Sequence, residues 1–273
     1  MEQSAGMHVP NSPAATAAAP KLGDLDVEAY LADPTRKQAF VTPMFDVIAP
    51  RYDAFTRLFS FGMDRSWKAQ AIAAVRQAMP SARLALDLAS GTGDVAGALA
   101  RAWPAATVYA LDASPRMIDA ARARLAGRDA DVAGRVHAEV GDMMALPQGD
   151  ATMDVVTASY GVRNVPDPVG AVREMARVLR PGGVLVTLDF YRPAQGWWRA
   201  LLLWYLQRAG NLVGWWWHRD PVVYGYIARS IDHFMSAEAF RALLEREGFS
   251  VRQETRYLLG GVALHVAIRT AQR

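Results

Sequence analysis

The spacing of hydrophobic and polar residues changes period several times along this chain, and each change marks an element. Over residues 27–79 apolar side chains recur near helical spacing, with Phe45, Ile48, Tyr52, Phe55, Leu58 and Phe59 as the repeating positions. Pro43 and Pro50 are expected to interrupt that stretch. Over residues 84–192 short apolar runs alternate with amphipathic ones. Leu84-Ala85-Leu86 and residues 108–112, 137–140, 153–158 and 184–189 read as buried strands, while 95–102 and 169–179 read as helices between them. Such alternation predicts an α/β domain with a parallel sheet covered on both faces. Arg180-Pro181-Gly182-Gly183 stops one helix ahead of the next strand. Ser236 caps a helix over 237–247, Gly248 ends it, and 250–257 with 262–268 form a closing pair of strands.

Composition narrows the classes. The 273 residues suit one large domain with embellishments: a tail over 1–24, a helical cap over 25–80, and a main domain over 81–273 with a helical insertion at about 195–235. The first twenty residues carry no Lys or Arg and no apolar run, so they read as neither a secretory nor a transit signal. Their Ala/Pro/Ser bias predicts disorder, and a cytoplasmic location is the expectation. There are no cysteines, which excludes disulfides, thiolate catalysis and Cys-based metal centres. His8, His137, His218, His233 and His265 show no metal-ligand spacing. A net charge of +3 without an arginine stripe does not argue for nucleic acid. Residues 197–217 hold six of the eight tryptophans together with Leu201-Leu202-Leu203, but Arg199, Gln207, Arg208 and Asn211 interrupt them. That segment reads as a helix with an aromatic-rich face. It either packs on the main domain or forms a peripheral foothold at the inner face of a membrane. A homodimer is compatible with these features.

The chemistry concentrates in Asp87-Leu88-Ala89-Ser90-Gly91-Thr92-Gly93-Asp94, between a buried strand and a helix start. Gly91 and Gly93 let backbone N–H groups approach a ligand. Asp87 and Asp94 would repel a pyrophosphate, but they suit a ligand with an ammonium group and no phosphate, such as S-adenosylmethionine. Asp112 ends the next strand, about 20 residues on, where an acid can accept from ribose hydroxyls. Met117 follows on the helix opened by Ser114-Pro115 and can face the adenine. Asp142, after a third strand, can accept from the adenine amino group. A fourth strand ends at Ser159.

These residues resemble the ubiquinone/menaquinone biosynthesis C-methyltransferase family of class I S-adenosylmethionine-dependent enzymes. The resemblance covers most of residues 40–268. It is carried by Met44-Phe45-Asp46, Tyr52-Asp53, Ser60-Phe61-Gly62, the cofactor loop, Ser159-Tyr160-Gly161-Val162-Arg163-Asn164-Val165, Tyr224-Gly225-Tyr226, Ser230-Ile231 and Ala263-Leu264-His265. It implies a doubly wound, mostly parallel seven-stranded Rossmann-like sheet with an antiparallel final hairpin. It also implies a cofactor held by Thr92, Asp112, Asp142, Met143 and Ser159, and a prenylated hydroquinone methylated on a ring carbon. Ser90 departs from the usual Gly or Cys, Thr56 and Asp64 from Asn and His, and Asp189 from Glu.

The mechanistic expectation follows from that acceptor. A ring carbon becomes nucleophilic when a neighbouring hydroxyl loses its proton. Arg163 is expected to stabilise the phenolate and Asn164 to orient the hydroxyl or a water, with water, Asp94 or Asp189 taking the proton. Other readings stay open at this point: a methyltransferase for another small aromatic or polyketide acceptor, an NAD-dependent oxidoreductase using Gly91, Gly93 and Gly97, and a non-catalytic quinone binder.

Overall fold

The computed structural model describes residues 34–60, 62–127, 130–217 and 222–271. The tail expected over 1–24 and the start of the helical cap lie outside them.

Seven strands form one sheet. They are β1 (Leu84–Leu88), β2 (Thr107–Asp112), β3 (Val136–Val140), β4 (Met153–Ser159), β5 (Leu179–Phe190), β6 (Phe249–Tyr257) and β7 (Val262–Arg269), in the order β3-β2-β1-β4-β5-β7-β6. The pairs from β3 across to β5 are parallel, and β7 runs antiparallel to both β5 and β6. This is the doubly wound sheet with an antiparallel closing hairpin expected from the sequence. Its strands read as near-continuous apolar runs because both faces are covered. Leu86 and Leu88 sit in one core cluster, while Ala85, Val108 and Ala110 sit in the other. His265 on β7 is fully buried beside Tyr191, and burial pushes its pKa down to about 4. It is a neutral core histidine, and no metal-binding group of His, Cys, Asp and Glu occurs among the described residues.

The cap comprises α1 (Pro34–Ile48), a 3-10 turn (Ala49–Arg51), α2 (Tyr52–Phe59) and α3 (Asp64–Ala78). Pro43 was expected to break the helical stretch but lies inside α1. The missing N–H forfeits one helical hydrogen bond, and burial of Val41, Met44 and Ile48 around it offsets that loss. Pro50 does mark a boundary, at the start of the 3-10 turn.

Helices α4 (Asp94–Ala102), α5 (Pro115–Ala126), α6 (Ala130–Arg135) and α7 (Pro168–Val178) connect the parallel strands. Ser114 caps α5 by accepting from the Met117 N–H at 3.1 Å, and donates its own hydroxyl to Asp46 of α1 at 2.5 Å. That pair pins the cap across the carboxyl end of β2. Next come α8 (Gly196–Trp217), α9 (Val222–His233) and α10 (Ala237–Arg246), the last capped by Ser236 as expected. Leu202 and Leu206 of α8 are buried, and Trp198 donates its indole N–H to the Leu258 carbonyl at 2.7 Å. No helix among the described residues is long and apolar enough to cross a membrane.

Strand order reverses between β1 and β4, and a crevice opens outside their carboxyl ends. Open α/β sheets bind ligands at such a switch point.

Candidate functional site

The turn after β1 is built for close approach. Ala89 at φ 49°, Gly91 at 52° and Gly93 at 78° all take left-handed backbone angles, and Gly93 caps α4. Across from it, Tyr160 follows β4 with φ 60°. Two non-glycine residues in this region, at the ends of adjacent central strands, mark a locally strained loop pair. Gly161 lies between them. A Cβ there would sit 2.3 Å from the Ala89 Cβ, so only glycine lets the loop after β4 rest on the cofactor-type turn.

Two cavities meet at this point. The first, about 610 Å³, is lined by Gly91, Asp112, Met117, Asp142, Met143, Ser159, Asn164 and neighbouring residues. The second, about 580 Å³, is walled by Met44, Ile48, Phe59, Phe190, Leu206 and Ile227, with Arg163, Thr56 and Tyr226 as its polar contributors. Phe45, Tyr52 and Tyr160 belong to both, so the two spaces touch. A side chamber of about 310 Å³ opens off the first and holds Lys68, Asp87, Thr92 and Asp94.

Asp112 accepts from the Gly91 N–H at 2.8 Å with one oxygen and from the Ser114 N–H at 2.9 Å with the other. Burial raises its pKa, and those two N–H groups oppose the rise. Asp142 is exposed, accepting from the Met144 N–H at 2.8 Å. Met117 and Met143 are buried apolar walls of the cavity. A slot with methionines on its walls and acids at its ends fits an adenosine that carries no phosphate.

Asp87 pairs in register with Thr157 of β4 and accepts its hydroxyl at 2.7 Å. Its other oxygen is buried without a partner. Burial pushes its pKa up to about 7. Lys68 lies in the same chamber, 3.7 Å from Asp94. One buried carboxyl and one ammonium facing a small chamber suit a zwitterionic amino-acid group.

The Asp87 shift makes stability depend on pH in a stated direction. With a folded pKa of about 7 against 3.8 for the free side chain, the protonated form favours folding. That contribution is fully present below pH 3.8 and is lost as pH rises through about 7. At pH 8 the buried charge costs about 4 kcal/mol. Asp87→Asn removes it, while burying an unpartnered NH₂ at a cost of about 1–3 kcal/mol. Thermal melts of the two proteins are therefore expected to favour the variant at pH 8 and the parent near pH 4. A difference that keeps one sign across this range would contradict the assignment.

Two expected acids sit elsewhere in the electrostatics. The loop position of Asp94 predicts a bare anion, but it ion-pairs with Arg124 and lies near Lys68, and it borders the side chamber and neither of the two cavities. Arg124 also binds Asp53, which accepts the Thr92 hydroxyl at 2.9 Å. Thr92 therefore ties the loop to the cap. Asp189 is fully buried and lines neither of the two cavities. It accepts from Arg163 Nη1 at 2.6 Å, from the Arg163 N–H at 3.2 Å and from the Phe190 N–H at 2.7 Å.

Arg163 and Asn164 form a short 3-10 turn (Val162–Asn164) and are both buried. Burial works against the Arg163 charge, but Asp189 outweighs it and raises the pKa further. Arg163 Nη1 also donates to the Tyr160 carbonyl at 2.9 Å, and its Nε is buried without a partner. Asn164 donates to the same carbonyl at 3.0 Å and accepts the Tyr226 hydroxyl at 3.2 Å. Lys37 of α1 clamps this turn from behind, donating to the carbonyls of Arg163 at 2.8 Å and Val165 at 2.9 Å. Its pKa falls to about 8, through burial first and the Arg163 charge second.

Three tyrosines complete the second cavity, and the sequence reading gave none of them a role. Burial raises the pKa of Tyr52 to about 12 and lifts those of Tyr160 and Tyr226 as well, so all three stay protonated donors near neutrality. The Tyr160 hydroxyl is buried without a partner. The available signal was their place in the motifs Tyr52-Asp53, Ser159-Tyr160-Gly161 and Tyr224-Gly225-Tyr226.

The ubiE/COQ5 methyltransferase family matches residues 33–269. A demethylmenaquinone methyltransferase of Thermus thermophilus is 38% identical over 226 residues, covering 83% of this chain and all of the relative. A ubiquinone/menaquinone biosynthesis C-methyltransferase UbiE of Syntrophotalea carbinolica is also 38% identical, over 81% of this chain and 90% of its own. Among solved structures, the [4+2]-cyclase SpnF superposes with a TM-score of 0.58 at 20% identity, covering 88% of this chain and 98% of its own. A Haloferax volcanii methyltransferase in complex with its Trm112 activator gives 0.57 at 22% identity, over 83% and 98%. At such identities the structural likeness speaks to fold alone.

Proposed function

This chain belongs to the ubiE/COQ5 methyltransferase family and is an S-adenosylmethionine-dependent methyltransferase, and we propose that its acceptor is a prenylated hydroquinone of respiratory quinone biosynthesis, methylated on a ring carbon. The observation that carries the proposal is the wall between the two cavities. Tyr160, which borders both cavities, and Arg163, which borders the second, each carry a buried donor without a partner, the hydroxyl and the guanidinium Nε, beside a lining that is mainly aliphatic and aromatic. Unpaired buried donors are costly, and the oxygen of a reduced quinone ring would satisfy both. Relatives named for demethylmenaquinone and for ubiquinone/menaquinone biosynthesis support the same class.

When bound, S-adenosylmethionine supplies a sulfonium methyl that passes to a carbon nucleophile. In this reading Asp112 holds the ribose hydroxyls, Asp142 the adenine amino group, and Asp87 with Lys68 the zwitterionic end. Arg163 favours the ionised acceptor hydroxyl, because a fixed cation in a low-dielectric wall lowers the cost of an oxyanion. Tyr160 donates to the same region, while Tyr226 gives its one hydroxyl hydrogen to Asn164 and holds that side chain in place. The hydroxyl proton passes to water in this account, since Asp189 is committed to Arg163 and Asp94 is paired with Arg124, and the methylated ring carbon then gives up its own hydrogen as the hydroxyl re-forms. Phe45 and Tyr52, common to both cavities, align ring and methyl.

The test in the cell is direct. Quinones extracted from cells lacking this chain are expected to accumulate a precursor one methylene lighter than the normal product. An unchanged quinone profile would refute the acceptor assignment.

A further inference from the structure

We propose that α8 lies along the surface of an anionic phospholipid bilayer, with its outer face in the headgroup layer, and that the acceptor reaches its cavity from there. This deepens the functional reading above and rests on it for the identity of the cargo, though not for the docking itself.

At the helical period, Trp197, Leu201, Trp204, Arg208 and Leu212 fall within an arc of about 80°. All five are exposed, with Trp197 66%, Trp204 57% and Leu212 69% accessible. Large apolar side chains this open, and aligned on one helix, form a contiguous patch that an aqueous surface does not favour. The opposite face carries Leu202 and Leu206 into the core, and Leu206 is part of the acceptor cavity wall. One helix thus separates the apolar cavity from the apolar stripe.

Charge and residue type select the occupant. Residues 196–217 contain no Asp or Glu, whereas Arg208 is exposed within the stripe and Arg192 just before the helix. Arg199, on the side of the helix away from the stripe, pairs with Asp232 at 3.8 Å. Tryptophan and leucine on one exposed face, with an arginine among them, is the composition of a helix lying in a membrane interface. Such a helix need not span, and this one is not apolar enough to do so.

The experiment uses the full chain and sedimentation with vesicles, either phosphatidylcholine alone or phosphatidylcholine with phosphatidylglycerol, without donor or acceptor. The protein is expected to bind the mixed vesicles, to release in high salt, and to show a blue-shifted tryptophan emission when bound. Trp197→Ser with Trp204→Ser is expected to weaken binding at least about tenfold. Its methylation of a tail-less hydroquinone should stay within about twofold, since neither side chain touches a cavity. Arg208→Glu, at an exposed position, provides a second variant and should weaken binding to the mixed vesicles alone. The proposal is overturned if the parent ignores both vesicle types or if the variants bind as it does. It is also overturned if the tryptophan substitutions turn a dimer into a monomer with vesicle binding intact, which would make a second copy the occupant. A protein that binds vesicles but methylates no quinol would refute the function and leave the docking surface standing.

Discussion

Asp189→Asn is expected to lower the melting temperature by about 10 °C and methyl transfer by about 100-fold. The stability loss follows from burial. Asp189 is fully buried, and it is the counter-charge of Arg163, itself nearly as inaccessible. Removing one partner of a buried pair leaves an uncompensated charge, costing about 3–5 kcal/mol, which in a chain of this size converts to roughly that shift in melting temperature. The activity loss follows from position. Asp189 fixes the Arg163 side chain through Nη1 and its backbone through the N–H, so the guanidinium loses its aim at the acceptor cavity. Losing one oriented donor to a developing oxyanion costs about 10²–10³ in rate. Asp189→Glu keeps the charge and should recover most of the melting temperature. If Asp189→Asn melts with the parent and retains its kcat, the buried pair has neither role.

The second large effect is on donor binding. Asp112→Ala is expected to weaken S-adenosylmethionine binding about 100-fold or more, read by calorimetry. A charge-assisted hydrogen bond contributes about 1.5–3 kcal/mol, and a ribose presents two hydroxyls. The same change frees the Gly91 and Ser114 N–H groups, which Asp112 now holds, so the loop and the α5 cap loosen together. Asp112→Asn keeps an acceptor but not the charge, and should fall between parent and alanine. Because burial raises the Asp112 pKa, affinity should decline on acidification earlier than it would for an exposed aspartate. An alanine variant that binds the donor as tightly as the parent would remove Asp112 from the site.

Strands, helices and the order of acids at the strand ends were legible because they are local. A fully buried parallel strand is a short apolar run, and Asp87, Gly91, Asp112, Asp142 and Ser159 follow such runs directly. The surroundings of those residues were not legible, because the partners are distant in sequence. Asp46 reaches Ser114 across 68 positions, Arg124 reaches Asp53 across 71 and Lys37 reaches Arg163 across 126. No spacing rule links such pairs. Asp94 discriminates less against a pyrophosphate than its place in the loop suggests, because Arg124 and Lys68 offset much of its charge. The discrimination rests on Asp112 and Asp142, with no basic side chain lining the first cavity among the described residues. Pro43 shows the same limit, since local propensity predicted a break and tertiary burial carried the helix through it.

The measurement closest to the centre of this account is methyl transfer by the purified chain to one prenylated ring presented in its two redox states. Under the proposed function the reduced ring forms an oxyanion, for which Arg163 and Tyr160 would be the donors, whereas the oxidised ring is electron-poor at carbon. The account predicts a product one methylene heavier, methylated on carbon, from the quinol alone. Equal yields from quinol and quinone would contradict it, as would methylation of oxygen in place of carbon.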